Sequence, residues 1–164
     1  MRDEEKSKYS MVNSCGMMED VIAIYFDKAN KTIGRAESNL GDGDIDTAVN
    51  RAYYAVFYIM TAMMLARGDV FSSHKQLITN FNKTYIKTGL LPKEYGAKIS
   101  KCQRLRHQGD YEPCPDISHQ DAKEQIEFAN DLYHKSMALN QRKSEIELGN
   151  NSAESADTIE DSKV

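Results

Sequence analysis

The spacing of its apolar residues limits this chain to one fold class. Apolar side chains recur every three or four positions through five segments, which is the period of one face of an α-helix. In the first segment they are Met18, Ile22, Tyr25, Ala29, Ile33, Ala36 and Leu40. No segment shows the convincing alternation of a half-buried strand. The pattern predicts an all-α fold, an up-and-down bundle of four to five helices with short connections between antiparallel neighbours.

Capping residues, glycines and prolines indicate where the helices begin and end. The predicted starts are Met18, Asp44, Ser72 or Ser73, Pro92 and Ser118. The predicted stops are Gly41, Gly68, Gly89 and Gly109, the last reinforced by Pro113 and Pro115. The second helix is apolar nearly all round, so it is predicted to be the central helix.

Apolar periodicity and composition divide the chain into three parts. Residues 1–17 are expected to be flexible, 18–142 to form the helical domain, and 143–164 to be a disordered acidic tail. From Ser144 onward there are six acidic residues and one basic residue, whereas the whole chain has a net charge of −4. The helical part is therefore close to neutral, which does not favour a strongly basic nucleic-acid surface.

Composition also indicates the compartment. There is no run of eighteen apolar residues and no apolar signal segment, so we expect a cytoplasmic protein without membrane contact. The three cysteines, Cys15, Cys102 and Cys114, are odd in number and unpaired in spacing, which suits a reducing compartment.

The stretch from Arg104 to Tyr111 contains the residues best suited to chemistry. Arg104 and Arg106 can bind phosphate, and His107 is the usual kind of acid–base group near neutral pH. Asp110 and Tyr111 follow directly. From the residues alone a structural interpretation is favoured, because basic residues near a helix C-terminus complement its dipole and Asp110 can pair with one of them.

Two residues outside this stretch also have both a functional and a structural interpretation. Arg51 lies in the apolar second helix, so its charge must be paired, with Asp110 as one candidate partner, or must lie at an edge. The alternative is a contact with RNA or a nucleotide. His74, at the start of the third helix, either takes part in a cap or faces a groove.

No metal site or cofactor is predicted. Cys102, His107, Cys114 and His119 are ligand types, but their spacing matches no usual zinc pattern. The glycines that end helices lack the strand and lysine of a phosphate-binding loop.

Several motifs in this order resemble one family. They are Asn50-Arg51-Ala52-Tyr53-Tyr54-Ala55-Val56-Phe57, Ser73-His74-Lys75, the run from Thr88 to Gly96, and Arg106 with Asp110-Tyr111. Together they are similar to the HEPN domain (higher eukaryotes and prokaryotes nucleotide-binding), in its small stand-alone prokaryotic branch. The resemblance covers about residues 18 to 140.

The resemblance implies a helical bundle that usually forms homodimers. Many HEPN proteins are metal-independent RNases that act as toxins, often encoded beside a minimal nucleotidyltransferase antitoxin, or serve in phage defence. Their site has an arginine, an adjacent polar residue and a histidine four to six positions from the arginine. Arg106 matches the arginine and His107 the polar position, while Tyr111 stands where the histidine could be.

Three functions therefore remain open. The first is a HEPN toxin or RNase with Arg106, His107 and Tyr111 as catalytic residues, and with RNA or nucleotide contacts from Arg51, His74, Arg104 and Asp110. The second is a non-catalytic module that binds a nucleotide, RNA or a partner nucleotidyltransferase. The third is a helical adaptor whose acidic tail binds a basic partner.

Overall fold

Five α-helices form the protein in a computed structural model that describes residues 2–112 and 115–157. They are α1 (Arg2–Gly41), α2 (Ile45–Leu65), α3 (His74–Phe81), α4 (Glu94–Tyr111) and α5 (His119–Asp157). A short π-helical turn, Asn82–Ile86, continues α3. The described residues contain no strand, which confirms the all-α prediction.

The second helix is the centre of the bundle, as its composition predicted. Helix α2 packs against α1, α3, α4 and α5. Eleven of its residues are buried, and four of those are alanines whose small side chains let neighbouring helices approach closely. The Asp44 carboxylate accepts a hydrogen bond from the Thr47 amide at 3.2 Å and so caps the helix at the predicted start.

Helix α5 begins with a capping box at Ser118, the predicted start. The Ser118 hydroxyl accepts a hydrogen bond from the Asp121 amide at 3.0 Å, and the Ser118 amide donates to the Asp121 carboxylate at 3.2 Å. Lys101 of α4 lies 2.9 Å from the same carboxylate. Hydrogen bonds from Ser118 and Lys101 lower the pKa of Asp121 to about 2. The contact therefore stays ionic at neutral pH and joins α4 to α5.

The end of α4 differs from the prediction. Gly109 was expected to stop the helix, but it lies within α4, which continues to Tyr111. Glycine costs about 1 kcal/mol in a helix interior, which tertiary packing readily offsets. Here Gly109 packs close to Asp46 and Ile117. As a consequence, the stretch from Arg104 to Tyr111 forms the last two turns of one helix, and residues four apart lie on the same face.

Helix also extends beyond the predicted domain at both ends. Helix α1 begins at Arg2, within the segment 1–17 expected to be flexible, and α5 continues to Asp157, within the segment 143–164 expected to be disordered. Glu, Lys, Arg and Met have high helix propensity even where no apolar stripe is present, so a charged sequence can prolong a helix. Residues 158–164 lie outside the described part of the chain. None of the described helices is both long and apolar enough to cross a membrane.

Candidate functional site

An arginine and an aspartate form an ion pair on the last two turns of α4. The Nε atom of Arg106 lies 2.9 Å from Oδ2 of Asp110, four residues further along the helix. The Nε–H bond is not directed at that oxygen, so the contact is an ion pair and not an aligned hydrogen bond. The side chains are 25% and 28% exposed, so the guanidinium is accessible from solvent while one of its faces is covered.

Asn50 of α2 holds the other oxygen of the same carboxylate. Its Nδ2 donates a hydrogen bond to Oδ1 of Asp110 at 2.9 Å. Asn50 was not among the residues predicted for the site, and its neighbour Arg51 was the predicted candidate partner of Asp110. That pairing does not occur: Arg51 is exposed and forms no ion pair within the described part of the chain. Adjacent residues on a helix point about 100° apart, and it is Asn50 that faces α4.

A helical face of α2 carries the signal that would have identified Asn50. Tyr53 and Tyr54 lie three and four positions after Asn50 and therefore share its face. The Arg106 guanidinium carbon lies 5.7 Å from the Tyr53 ring centre and 5.9 Å from the Tyr54 ring centre. Both distances are within the range of cation–π attraction. Asn50, Tyr53 and Tyr54 thus form one surface against which Arg106 and Asp110 pack.

Arg106 keeps its charge in this environment. Burial lowers the pKa of Arg106, but the nearby Asp110 carboxylate and Tyr54 hydroxyl raise it more, so the pKa lies above its usual value. A permanently charged guanidinium in a partly buried position is suited to binding an anion such as a phosphate.

His74, the first residue of α3, reaches the same group of residues through Tyr53. Its Nδ1 lies 2.9 Å from the Tyr53 hydroxyl oxygen, and its ring centre lies 4.1 Å from that of Phe57. Burial lowers the pKa of His74, and the positive charge of Arg106 lowers it further. The imidazole is therefore mostly neutral at pH 7 and can accept a proton.

The remaining sequence-predicted residues lie on other faces of α4. His107 and Tyr111 are exposed and adjacent, with ring centres 4.8 Å apart. Tyr111 is 67% exposed. Arg104 is also exposed, and its Nη1 donates to Oε1 of Gln108 at 3.2 Å. The structure therefore connects His74, Arg106 and Asp110 through Tyr53 and Asn50, and leaves His107, Tyr111 and Arg104 exposed on other faces of α4.

The cysteine near this site is not arranged as a metal ligand. Cys102 is 1% exposed, and its thiol donates a hydrogen bond to Gln125. Burial raises the pKa of Cys102 to about 12, so the thiol is protonated. No three His, Cys, Asp or Glu side chains cluster as metal ligands over the ranges that the structure describes. Cys114, which the sequence analysis also considered, is outside those ranges.

The solved structures include one with this arrangement of helices. A structural neighbour from Thermus thermophilus, TT1696, superimposes with a TM-score of 0.61 over 71% of this chain and 96% of its own, at 17% identity. At that identity the likeness concerns the fold alone.

Two other proteins are more similar to this chain in sequence than TT1696 is. A UPF0332 protein of Thermotoga maritima is 32% identical over 111 residues, or 68% of this chain and 84% of the relative. A Methanocaldococcus jannaschii protein named "Putative toxin MJ0142" is 30% identical over 109 residues, or 66% of this chain and 69% of the relative. The HEPN domain family matches residues 22–139, a range that includes α2, α3, α4 and every residue of the site described above. This chain is a member of the HEPN family.

Proposed function

We propose that this protein is a toxin-like endoribonuclease whose own side chains cleave RNA at the Arg106 site. The observation that carries the proposal is the arrangement of Arg106, which is charged, partly exposed and held between the Asp110 carboxylate and the rings of Tyr53 and Tyr54. The relatives from Methanocaldococcus jannaschii that are named as putative toxins support the biological role. RNA is the proposed substrate because its 2′-hydroxyl supplies an internal nucleophile.

The proposed reaction is an intramolecular transesterification. The 2′-hydroxyl oxygen attacks the adjacent phosphorus, an O2′–P bond forms, and the P–O5′ bond breaks. A general base takes the 2′-hydroxyl proton, and a general acid gives a proton to the departing 5′-oxygen. The products are a 2′,3′-cyclic phosphate and a 5′-hydroxyl. Arg106 stabilises the negative charge that develops on the phosphoryl oxygens.

Two histidines are available for the proton transfers. His107 is adjacent to Arg106 in sequence and exposed, and it is our proposed acid–base group, with Tyr111 packed beside it to orient the ring. His74 contacts the Tyr53 hydroxyl, and because its pKa is lowered, its ring is in the neutral form that can accept a proton at neutral pH. Asp110 and Asn50 act as positioning residues, since they contact Arg106 or its partner and not the reacting atoms.

A second function, a binding module without catalysis, is favoured by one observation. Tyr111 stands where the family's histidine could be, its side chain is 67% exposed, and a phenol is a poorer base near neutral pH than an imidazole. In that case the same guanidinium would hold a phosphate of RNA or a nucleotide without turnover. The partner would be RNA, a nucleotide or a minimal nucleotidyltransferase.

The HEPN resemblance supports two assemblies for either function, a homodimer and a complex with a minimal nucleotidyltransferase. Helix α1 carries three exposed apolar side chains on one face. They are Met17 (69% exposed), Val21 (39%) and Ile24 (62%). A second copy that covers this face would remove it from water. Light scattering of the purified protein, and co-purification with a nucleotidyltransferase from a neighbouring gene, test the two assemblies.

Cleavage of single-stranded RNA in the presence of a chelator tests the main proposal. We expect fragments with cyclic phosphate ends, and we expect the Arg106→Ala variant to lose at least 100-fold in rate, about 2.7 kcal/mol of transition-state stabilisation. Arg142→Ala is the matched control, because it removes an exposed arginine of α5 that belongs to no part of the site, and it should keep a near-normal rate.

Intact RNA after incubation with the wild-type protein, together with normal growth on expression, would overturn the RNase proposal. The Arg106→Ala, His107→Ala double variant then tests the binding module. If the wild-type protein binds RNA or a nucleotide and the double variant does not, the module is supported.

A further inference from the structure

A cavity of about 300 Å³ has His74 in its lining, whereas Arg106, Tyr53 and Tyr54 do not line it. It lies between the C-terminal part of α2, the connection 66–73 and the start of α3. Aromatic rings of Tyr25, Phe57 and Phe71 line it, together with the apolar side chains of Met64 and Leu77. The polar lining includes Asp69 and Ser72. The proposed cleavage does not use this cavity.

We propose that this cavity binds one unstacked nucleobase of the RNA whose phosphate is held by Arg106. The inference rests on the proposed function and adds a substrate class to it: single-stranded RNA with a base free to leave the stack. We refer to the cavity as the base pocket.

His74 connects the base pocket to the phosphate site at Arg106. His74 lines the pocket and contacts the Tyr53 hydroxyl at 2.9 Å. Arg106 lies 5.7 Å from the ring of the same tyrosine. Tyr53 thus contacts a residue of the base pocket, His74, through its hydroxyl and the guanidinium of Arg106 through its ring. A nucleotide has the same two parts, a flat aromatic base and an anionic phosphate, joined by one sugar.

The size and the aromatic lining of the base pocket match a nucleobase. The volume is at the lower end of the range for small-molecule sites, so it suits one ring system and not a whole nucleotide. Aromatic side chains are the usual platforms for unstacked RNA bases, because every base has a π-face. Phe57 and His74 already stack on each other, with ring centres 4.1 Å apart, and so present a preformed wall.

The polar lining indicates which bases should bind best. The Asp69 carboxylate is 48% exposed and only loosely paired, with Arg67 3.8 Å away. It can accept hydrogen bonds but cannot donate them. Adenine, cytosine and guanine carry exocyclic amino groups that donate, whereas uracil donates only through N3–H, which lies between two carbonyl oxygens that a carboxylate repels. The base pocket should therefore favour an amino-bearing base over uracil.

The test uses the full chain and a non-cleavable 2′-O-methyl RNA oligonucleotide, with a second oligonucleotide in which every base is removed but the sugar–phosphate chain is kept. The wild-type protein should bind the base-containing oligonucleotide about tenfold more tightly. Phe71→Ala should abolish that difference, and Leu90→Ala, which removes an exposed apolar residue outside the base pocket, should not.

Two further variants distinguish loss of base binding from misfolding. Phe71→Leu keeps most of the side-chain volume but removes the ring, so it should lose base-dependent affinity as Phe71→Ala does. Phe71→Tyr keeps the ring and should retain the affinity.

Asp69→Asn tests the base preference. It should reduce the preference for oligo(A) and oligo(C) over oligo(U), because the asparagine amide can also donate a hydrogen bond to uracil.

Equal binding of the two oligonucleotides by the wild-type protein would overturn the base pocket. So would equal affinities of Phe71→Leu and Leu90→Ala. Because this assay measures binding to an RNA that cannot be cleaved, its failure is distinguishable from failure of the proposed RNase activity, which is read from cleavage products.

Discussion

Asn50 donates a hydrogen bond from Nδ2 to Oδ1 of Asp110 at 2.9 Å, although the two residues are 60 positions apart in the chain. The other oxygen of that carboxylate lies 2.9 Å from Nε of Arg106. One amide on α2 therefore orients the aspartate, and the aspartate in turn orients the arginine on α4. Removing the amide leaves Asp110 free to rotate, and Arg106 loses its defined position over Tyr53 and Tyr54.

Asn50→Ala should therefore lower the proposed RNA cleavage rate about tenfold, equivalent to about 1.4 kcal/mol, with little change in KM. Asn50→Asp should be worse, because it places a second carboxylate against Asp110. Cleavage kinetics of the two variants check this, with Arg142→Ala, at an exposed position of α5, as the control. A normal rate for Asn50→Asp would show that the hydrogen bond has no part in positioning Arg106.

The His74 titration should depend on Arg106. In the wild-type protein the pKa of His74 should be below its ordinary value of 6.5, since burial and the Arg106 charge both disfavour the imidazolium. Arg106→Ala should raise the pKa of His74 towards 6.5. Chemical shifts of the His74 ring across pH 4 to 9 measure both values. The same pKa in both proteins would mean that the two side chains do not interact.

The same shift predicts how stability depends on pH. The folded state holds the His74 proton less tightly than the unfolded chain does, so the unfolded chain binds more protons as pH falls. The contribution of His74 to the free energy of unfolding is therefore full above pH 6.5 and declines as pH falls through the lower pKa of the folded state. Urea unfolding of the wild-type protein and His74→Asn, compared across that window, measures it. Parallel pH profiles for the two proteins would contradict the prediction.

The Cys102 thiol should be unreactive in the folded protein. It is 1% exposed, and burial raises its pKa to about 12, so almost no thiolate is present at pH 8. In a Cys15→Ser, Cys114→Ser variant, which keeps Cys102 alone, iodoacetamide should label the protein only after urea is added. Mass spectrometry measures the label. Rapid labelling without urea would show that α4 opens locally.

The central helix should be sensitive to loss of volume. Ile59 of α2 is 0% exposed, and Ile59→Ala should lower the free energy of unfolding by about 3 kcal/mol through lost burial and the cavity that remains. Val70→Ala, at a position 75% exposed, should change it by less than about 0.5 kcal/mol. Urea denaturation of both variants makes the comparison. Equal effects would mean that α2 is not the centre of the core.

Much of the fold was predictable because it depends on local chemistry. The apolar spacing identified the amphipathic faces, and Asp44, Ser73 and Ser118 were correctly expected to begin helices, since a side-chain cap acts within three residues. Gly109 was wrongly expected to end α4. A glycine permits a helix end but does not require one, and the packing of α4 against Asp46 and Ile117 decided that the helix continues.

The sequence by itself determined the helices and the stretch from Arg104 to Tyr111 in which the candidate site lies, because both follow from residues within a few positions of one another. Only the tertiary structure decided that Asn50, and not Arg51, holds Asp110, and that His74 contacts Tyr53. Those contacts depend on the rotation of α2 about its axis relative to α3 and α4. That rotation is determined by how the whole core packs: the spacing of Asn50, Tyr53 and Tyr54 shows that they share a face of α2, but not which helix that face meets.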